Sequence, residues 1–327
     1  MNSLARRDFL KSMVALAAGA TMSAPAWAEG AGFPSKPISV IVPYGPGGLG
    51  DYTGRALAMH LSEVWKANAV VENRAGASGI IGSRYVSASR PDGYTILMSS
   101  NTTVSAAPML FKNLPYDPRT DLVEAGVLGI YGSVALVRKD APYQSIPELV
   151  AYGKAHPGEL FYAYTNTSSQ VPAEMLNAAA GVAMQGVSYK ETGRAITDLM
   201  SGQVQVFFMD YVAAAPHVAG GKLSALGVTQ ATRTKLWPSV PAIAEFYPGF
   251  EMTGYVTISL PSATPAEIVQ KYNQAIRSAV KTASVAEHLE SQGLELKDYD
   301  VAQTKRFVDD ETRKWTTYVQ IAKIVPQ

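Results

Sequence analysis

The sequence predicts an α/β protein of two lobes, each a mixed, mostly parallel sheet flanked by helices, joined by a hinge that the chain crosses twice. Three observations carry this. Short runs rich in Val, Ile, Phe and Tyr alternate with helix-periodic runs, and alternating β and α segments build parallel sheets covered on both faces. The strand-like runs suit two sheets better than one, and a chain of 327 residues has the length of two domains. The segments 131–138 and 253–260 are natural places for the chain to leave one lobe and return to it. The expected limits are 1–28 for an export signal, 29–131 with 255–327 for the first lobe, and 132–254 for the second.

The N-terminus reads as that signal. Arg6 and Arg7 precede Phe9, Leu10 and Lys11, then a small-residue apolar run, then Ala26-Trp27-Ala28. An A-x-A site predicts cleavage after Ala28, and the run is short for a membrane span. Twin arginines point to the Tat route, with Sec as the alternative because residue 5 is Ala. Either route predicts a periplasmic protein.

Strands are expected at 38–43, 69–72, 95–99, 126–129, 134–138, 160–164, 184–188, 204–210, 224–228 and 255–260. Each is short and bounded by Gly, Pro or polar residues. Helices are expected at 51–67, 78–89, 145–156, 172–180, 193–201, 264–278 and 304–324. Two begin with the same device: Ser145 caps ahead of Pro147 and Glu148, and Thr264 ahead of Pro265 and Glu267.

Composition narrows function. Apolar residues make up 47% and charged residues 17%, with a formal charge of +1, which gives no reason to expect a nucleic-acid partner. The absence of cysteine removes thiol catalysis, disulfides and Cys-based zinc sites. None of His60, His156, His217 and His288 lies in H-E-x-x-H, and no Ser lies in G-x-S-x-G. No enzyme, metal or cofactor is therefore predicted. An exported α/β hydrolase is the competing class, and it lacks a positioned His–acid pair.

The first strand runs into "VPYGPGGLGD", whose Gly45, Gly47 and Gly50 fit G-x-G-x-x-G. A dinucleotide site is disfavoured here. Pro46 removes a donor, Asp51 would face a pyrophosphate, and an exported protein meets little NAD. Free N–H groups at a helix start bind carboxylates equally well. Candidate ligand groups on this loop are Tyr44, Gly47, Gly48, Leu49 and Asp51. A second loop offers Ala77, Ser78 and Gly79, and a third Asn101 and Thr102. The other lobe offers Tyr164, Thr165, Asn166, Ser168, Tyr189 and Asp210, each at or just past a strand end, where open sheets bind ligands. For Asp210 a helix cap is an equal reading.

The segments "FPSKPISVIVPYGPGGLGD", "VVENRAGASGIIGS", "RPDGYTILM", "LPYDPRTDL" and "YKETGRAITDLMSGQV" fall in the order typical of the Bug family, which this chain resembles over nearly all of its mature length. These are extracytoplasmic receptors of tripartite tricarboxylate transporters. The resemblance implies a type II-like periplasmic binding protein that closes on a small carboxylate. It also implies membrane permease partners, and loops 44–51 and 75–79 holding one carboxylate through backbone groups and waters. The chain departs from the family pattern at Leu49, where a hydroxyl is usual, at Glu191, where glycine is usual, and at Tyr164 and Thr165, where small residues are usual. Tyrosines (17) outnumber phenylalanines (9), and Tyr44, Tyr131, Tyr164, Tyr189 and Tyr211 fall near predicted strand ends. A flat face with a polar tip suits an aromatic mono- or dicarboxylate, terephthalate-like, over an aliphatic di- or tricarboxylate. The receptor is expected to be a monomer.

Overall fold

The computed structural model describes residues 32–326; the expected export signal, 1–28, lies outside them. The chain divides between residues 35 and 36 into two units. Residues 32–35 of the first contain no helix or strand. The sheets, helices and cleft all belong to the second.

In chain order the strands are β1 (Ile38–Val42), β2 (Ala69–Asn73), β3 (Thr95–Ser100), β4 (Leu122–Tyr131), β5 (Ser133–Arg138), β6 (Phe161–Tyr164), β7 (Gln185–Ser188), β8 (Val206–Asp210), β9 (Leu223–Val228), β10 (Gly254–Pro261) and β11 (Glu295–Leu296). The longer helices are α1 (Leu49–Trp65), α2 (Ile80–Ser87), α3 (Ile146–Ala155), α4 (Thr167–Ala180), α5 (Thr192–Ser201), α6 (Tyr211–Ala219), α7 (Ala266–Ala279), α8 (Ala283–Ser291) and α9 (Val301–Ile321).

The strands form two mixed sheets, ordered β11-β4-β10-β3-β1-β2 and β7-β6-β8-β5-β9. Parallel strand pairs are β2-β1-β3 and β7-β6-β8. β10 runs antiparallel to both β3 and β4, and β5 antiparallel to both β8 and β9. These two strands follow the crossings between sheets, so each arrives against the direction set by the βα units. All eight residues of β10 are buried, as a strand covered on both faces requires.

Strand alternation sorts the second sheet into two cores. Ala135, Val137, Val206 and Phe208 face one, while Val134, Leu136, Phe207 and Met209 face the other. The first of these cores also takes Trp315 and Tyr318 from α9 and Ala322 just after it. Farther back along that helix, Val308 packs with Tyr255 and Val104 beside the first sheet. The last helix thus links the two sheets in addition to the strand crossings.

The expected strands are all present, and β11 is additional. Among the longer helices, α6 and α8 lie where none was expected, and α4 starts at Thr167 rather than 172. The α4 difference has a local cause. Asn166 accepts from Ser169 N (3.0 Å) in a capping box, so the helix begins before Pro172 and carries it inside. In α6 the same pattern recurs: Asp210 caps the start and Pro216 lies within the helix. An interior proline reads as a break in sequence, because it removes a helical donor.

Between β4 and α9 lies a carboxyl with a pH signature. Glu124 Oε1 is buried without a hydrogen-bond partner. Burial pushes its pKa up to about 7, with Lys305 opposing the rise and Asp309 adding to it. An acid whose folded pKa exceeds its unfolded one holds its proton more tightly when folded, so stability falls as pH rises between roughly 4.5 and 7. Glu124→Gln removes this dependence. Chemical denaturation should find the variant more stable than the parent at pH 8, by on the order of 1–3 kcal/mol, with the gap closing near pH 4.5.

Candidate functional site

Where β1 ends, a buried carboxylate organises the following loop. Asp51 is 5% exposed. It accepts from Gly47 N (3.0 Å), from Arg55 Nε (3.1 Å) and Nη2 (3.0 Å), and from Asn73 Nδ2 (3.0 Å). Asn73 Nδ2 also reaches the carbonyl of Tyr44 (3.1 Å). Burial alone would raise the Asp51 pKa, but the bonds from Arg55, Gly47 N and Asn73 outweigh it and hold the carboxyl below its usual range. The loop, the first turn of α1 and the end of β2 are therefore tied to one group. The Asp51 and Tyr52 N–H groups close onto Gly48 O (3.0 Å each). Those of Leu49 and Gly50 have no intrahelical carbonyl within reach.

Tyr44 is set by its neighbours. Its ring packs where Gly50 and Gly79 have no Cβ, which would stand 3.3–3.4 Å away. Its hydroxyl bonds Ser100 Oγ (2.8 Å), and burial raises its pKa, so it stays a neutral phenol. The second loop explains the approach. Gly76, Ala77, Ser78 and Gly79 have φ of 138°, 46°, 56° and 93°, a left-handed run that is costly for Ala77 and Ser78.

The second sheet supplies the facing wall. Beyond β6 the chain passes Thr165 and Asn166 into α4, with Thr165 N and Asn166 N donating to Ser169 Oγ (3.1 and 3.3 Å). At the end of β8, Asp210 Oδ1 accepts from Ala213 N (2.9 Å) and caps α6. Water reaches Asp210 from the cleft, yet protein surrounds the carboxyl on most sides, and this desolvation raises its pKa. At the crossings, Gly132 and Gly254 leave room for Tyr211 and Tyr131; a Cβ would come within 2.6 Å of the Tyr211 hydroxyl and 2.4 Å of the Tyr131 ring. Ser133 N donates to Thr229 Oγ1 (2.9 Å) and Thr229 N to Ser133 O (2.9 Å), binding the two crossings together.

A cleft of two adjoining chambers results. The inner one, about 290 Å³, meets Tyr44, Gly48, Leu49 and Thr102 from the first lobe and Thr165, Asn166, Ser168 and Asp210 from the second. The outer one, about 480 Å³, shares Tyr44, Thr102, Thr165, Asn166 and Ser168 and adds Ser78 and Tyr164. Gly47, Asp51, Ala77, Gly79, Asn101 and Tyr189 line neither chamber. Asp51 and Gly79 brace the walls instead. Asn101 is fully buried and takes a long bond from the Tyr131 hydroxyl (3.4 Å). Tyr189 gives its hydroxyl to Asp198 (3.0 Å), and Tyr211 donates to Gln230 (2.8 Å).

The loop-based reading misses the inner floor: Met98, Phe207, Phe208, Met209, Met252 and Val256. These lie in or beside strands and read as ordinary core. Their only signal is position at strand ends beside the crossings. Register shows why they converge, with Val256 opposite Ser100 and Gly254 opposite Tyr131.

The tripartite tricarboxylate transporter family receptor profile, TctC, matches residues 53–324. The chain belongs to this family. Its members are receptors, not enzymes. Among relatives of this receptor, protein BugT of Bordetella pertussis is 33% identical over 292 residues, covering 88% of this chain and 90% of BugT. The structure is similar to Rhodopseudomonas palustris Rpa4515 with adipate, at TM-score 0.80 and 29% identity, covering 90% of this chain and 100% of that one. It is also similar to MatC from Rhodopseudomonas palustris with bound malate, at TM-score 0.75 and 28% identity, covering 88% and 100%.

The Asp51 clasp can be tested without a ligand. Asp51→Ala leaves the Gly47 N–H without its acceptor, frees Arg55, and leaves Asn73 only the Tyr44 carbonyl. Urea unfolding should show a loss of about 2–3 kcal/mol near neutral pH. Because the folded pKa is lowered, the Asp51 contribution is present above about pH 4 and lost as pH falls, so the gap between variant and parent should narrow in acid.

Proposed function

We propose that this receptor works in the periplasm as a monomer, captures a small carboxylate between its two lobes, and presents the closed complex to the permease subunits of a tripartite transporter. The observation that carries this is the two-chambered cleft, with helix-start N–H groups and hydroxyls on its loops and an apolar floor. The paired arginines and Ala26-Trp27-Ala28 support export. Among the described residues no helix is long and apolar enough to cross a membrane. The adipate and malate bound by the two structural neighbours support a carboxylate as the ligand class.

Within that class the favoured ligand is an aromatic mono- or dicarboxylate, a flat ring of terephthalate's size. Tyr44 and Tyr131 wall the inner chamber, Phe207 and Phe208 lie on its floor, and Tyr164 extends the aromatic lining outward. Burial pushes the Tyr131 phenol far up, so it meets a ligand as a neutral group. An aliphatic di- or tricarboxylate is the second reading, and the ligands of the two neighbours favour it. Contacts from both lobes to one ligand would stabilise the closed form, since a ligand shifts a conformational equilibrium only through differential affinity.

Calorimetry of the mature protein against aromatic and aliphatic acids tests the proposal. Heat is expected with at least one aromatic acid, and silence across the whole panel from folded protein would refute the carboxylate assignment. Tyr164→Ala should weaken the aromatic ligand by on the order of 1–3 kcal/mol and leave aliphatic acids nearly unchanged. Equal effects on both would speak against stacking.

A further inference from the structure

Among the described residues, neither chamber is lined by a lysine, arginine or histidine. Asp210 is the one charged residue on their walls, and it lies in the inner chamber. It projects from the last position of β8, paired with Ser133 at the crossing, and so confronts the first-lobe loops across the cavity. One oxygen, Oδ1, is used to cap α6 (2.9 Å from Ala213 N). The other, Oδ2, has no hydrogen-bond partner among the described residues, although the residue is open to the cleft.

A carboxylate in this position constrains what can share the chamber. If one ligand carboxylate sits at the N–H groups of the α1 turn, a second at the far end would meet another acid with no cation between them. Like charges at such range, in a partly desolvated space, repel strongly. An ammonium or N–H donor there would instead give Oδ2 its missing partner as a charge-assisted hydrogen bond. Desolvation already raises the Asp210 pKa; a second ligand carboxylate would raise it further, and an ammonium would lower it.

We infer that Asp210 reads the far end of the ligand, so that the receptor prefers a monocarboxylate whose other end is an ammonium or N–H donor over the matching diacid. This rests on the carboxylate-receptor reading and narrows it, because it sets the chemistry of the distal group whether the ligand body is aromatic or aliphatic.

The test uses two matched pairs of probes by calorimetry: para-(aminomethyl)benzoate against terephthalate, and epsilon-aminocaproate against adipate. Each is titrated into the mature protein and into Asp210→Asn. Asparagine caps a helix about as well as aspartate, so α6 keeps its start while the charge is removed. Asp210→Ser, also a capping residue, serves if the first variant does not fold. In the parent protein the amino member of whichever pair binds should be about tenfold tighter than the diacid, or more. In Asp210→Asn that preference should vanish, with the diacid gaining and the amino acid losing. A parent that prefers the diacid overturns the inference, as does a preference that survives in the folded variant. If neither pair binds while another acid of the panel does, this inference falls alone; silence across the whole panel removes the carboxylate reading as well.

Discussion

The geometry of the binding wall depends on one buried carboxylate. Asp51 joins the β1 loop, the first turn of α1 and Asn73 at the end of β2. A glycine-rich loop would otherwise sample many conformations, because glycine loses most backbone freedom on ordering. Here the freedom is removed by hydrogen bonds to a charged acceptor, which are stronger than neutral ones. The same acid explains why a glycine spacing suited to dinucleotides does not serve a pyrophosphate. The negative charge already occupies the helix start, and it is spent on shaping the loop.

Tyr44 carries that order into the cleft. Its backbone carbonyl is held by Asn73, its ring by the gaps at Gly50 and Gly79, and its hydroxyl by Ser100. The strained turn at Ala77 and Ser78 brings Gly79 against it. The result is a fixed side chain that lines both chambers. Across from it, the second lobe uses helix caps at Asn166 and Asp210 to end its strands facing the same space. In the proposed function, ligand capture is the closing of these two walls; α9 packs against both sheets as a further link besides the crossings.

Much of this was legible in the sequence, for identifiable reasons. β10 reads as a strand because a fully buried strand is apolar with few interruptions, and Tyr131 and Thr253 stand out because the crossings follow from strand count. The loop residues Tyr44, Gly48, Leu49, Thr102, Thr165, Asn166, Ser168 and Asp210 were findable because ligands bind beyond strand ends in such sheets, and all of them line the inner chamber. Other features depend on tertiary approach. Asp51 is polar and lies at a helix start, which in sequence looks the same whether it faces a ligand or clasps a loop. Met98, Phe208 and Met252 look like core until register sets them beside a cavity. α6 was hidden by Pro216, since a proline within nine residues outweighs a cap in any local reading.

A crystal structure of the mature protein grown with a bound carboxylate tests the central claim most directly. The account predicts the ligand between the lobes, one carboxylate within about 2.7–3.2 Å of the Leu49 and Gly50 N–H groups or bridged to them by water, and Tyr44 unmoved from Ser100. A ligand seated outside the cleft, or a carboxylate bound while the Asp51 clasp is broken and the loop rearranged, would contradict it.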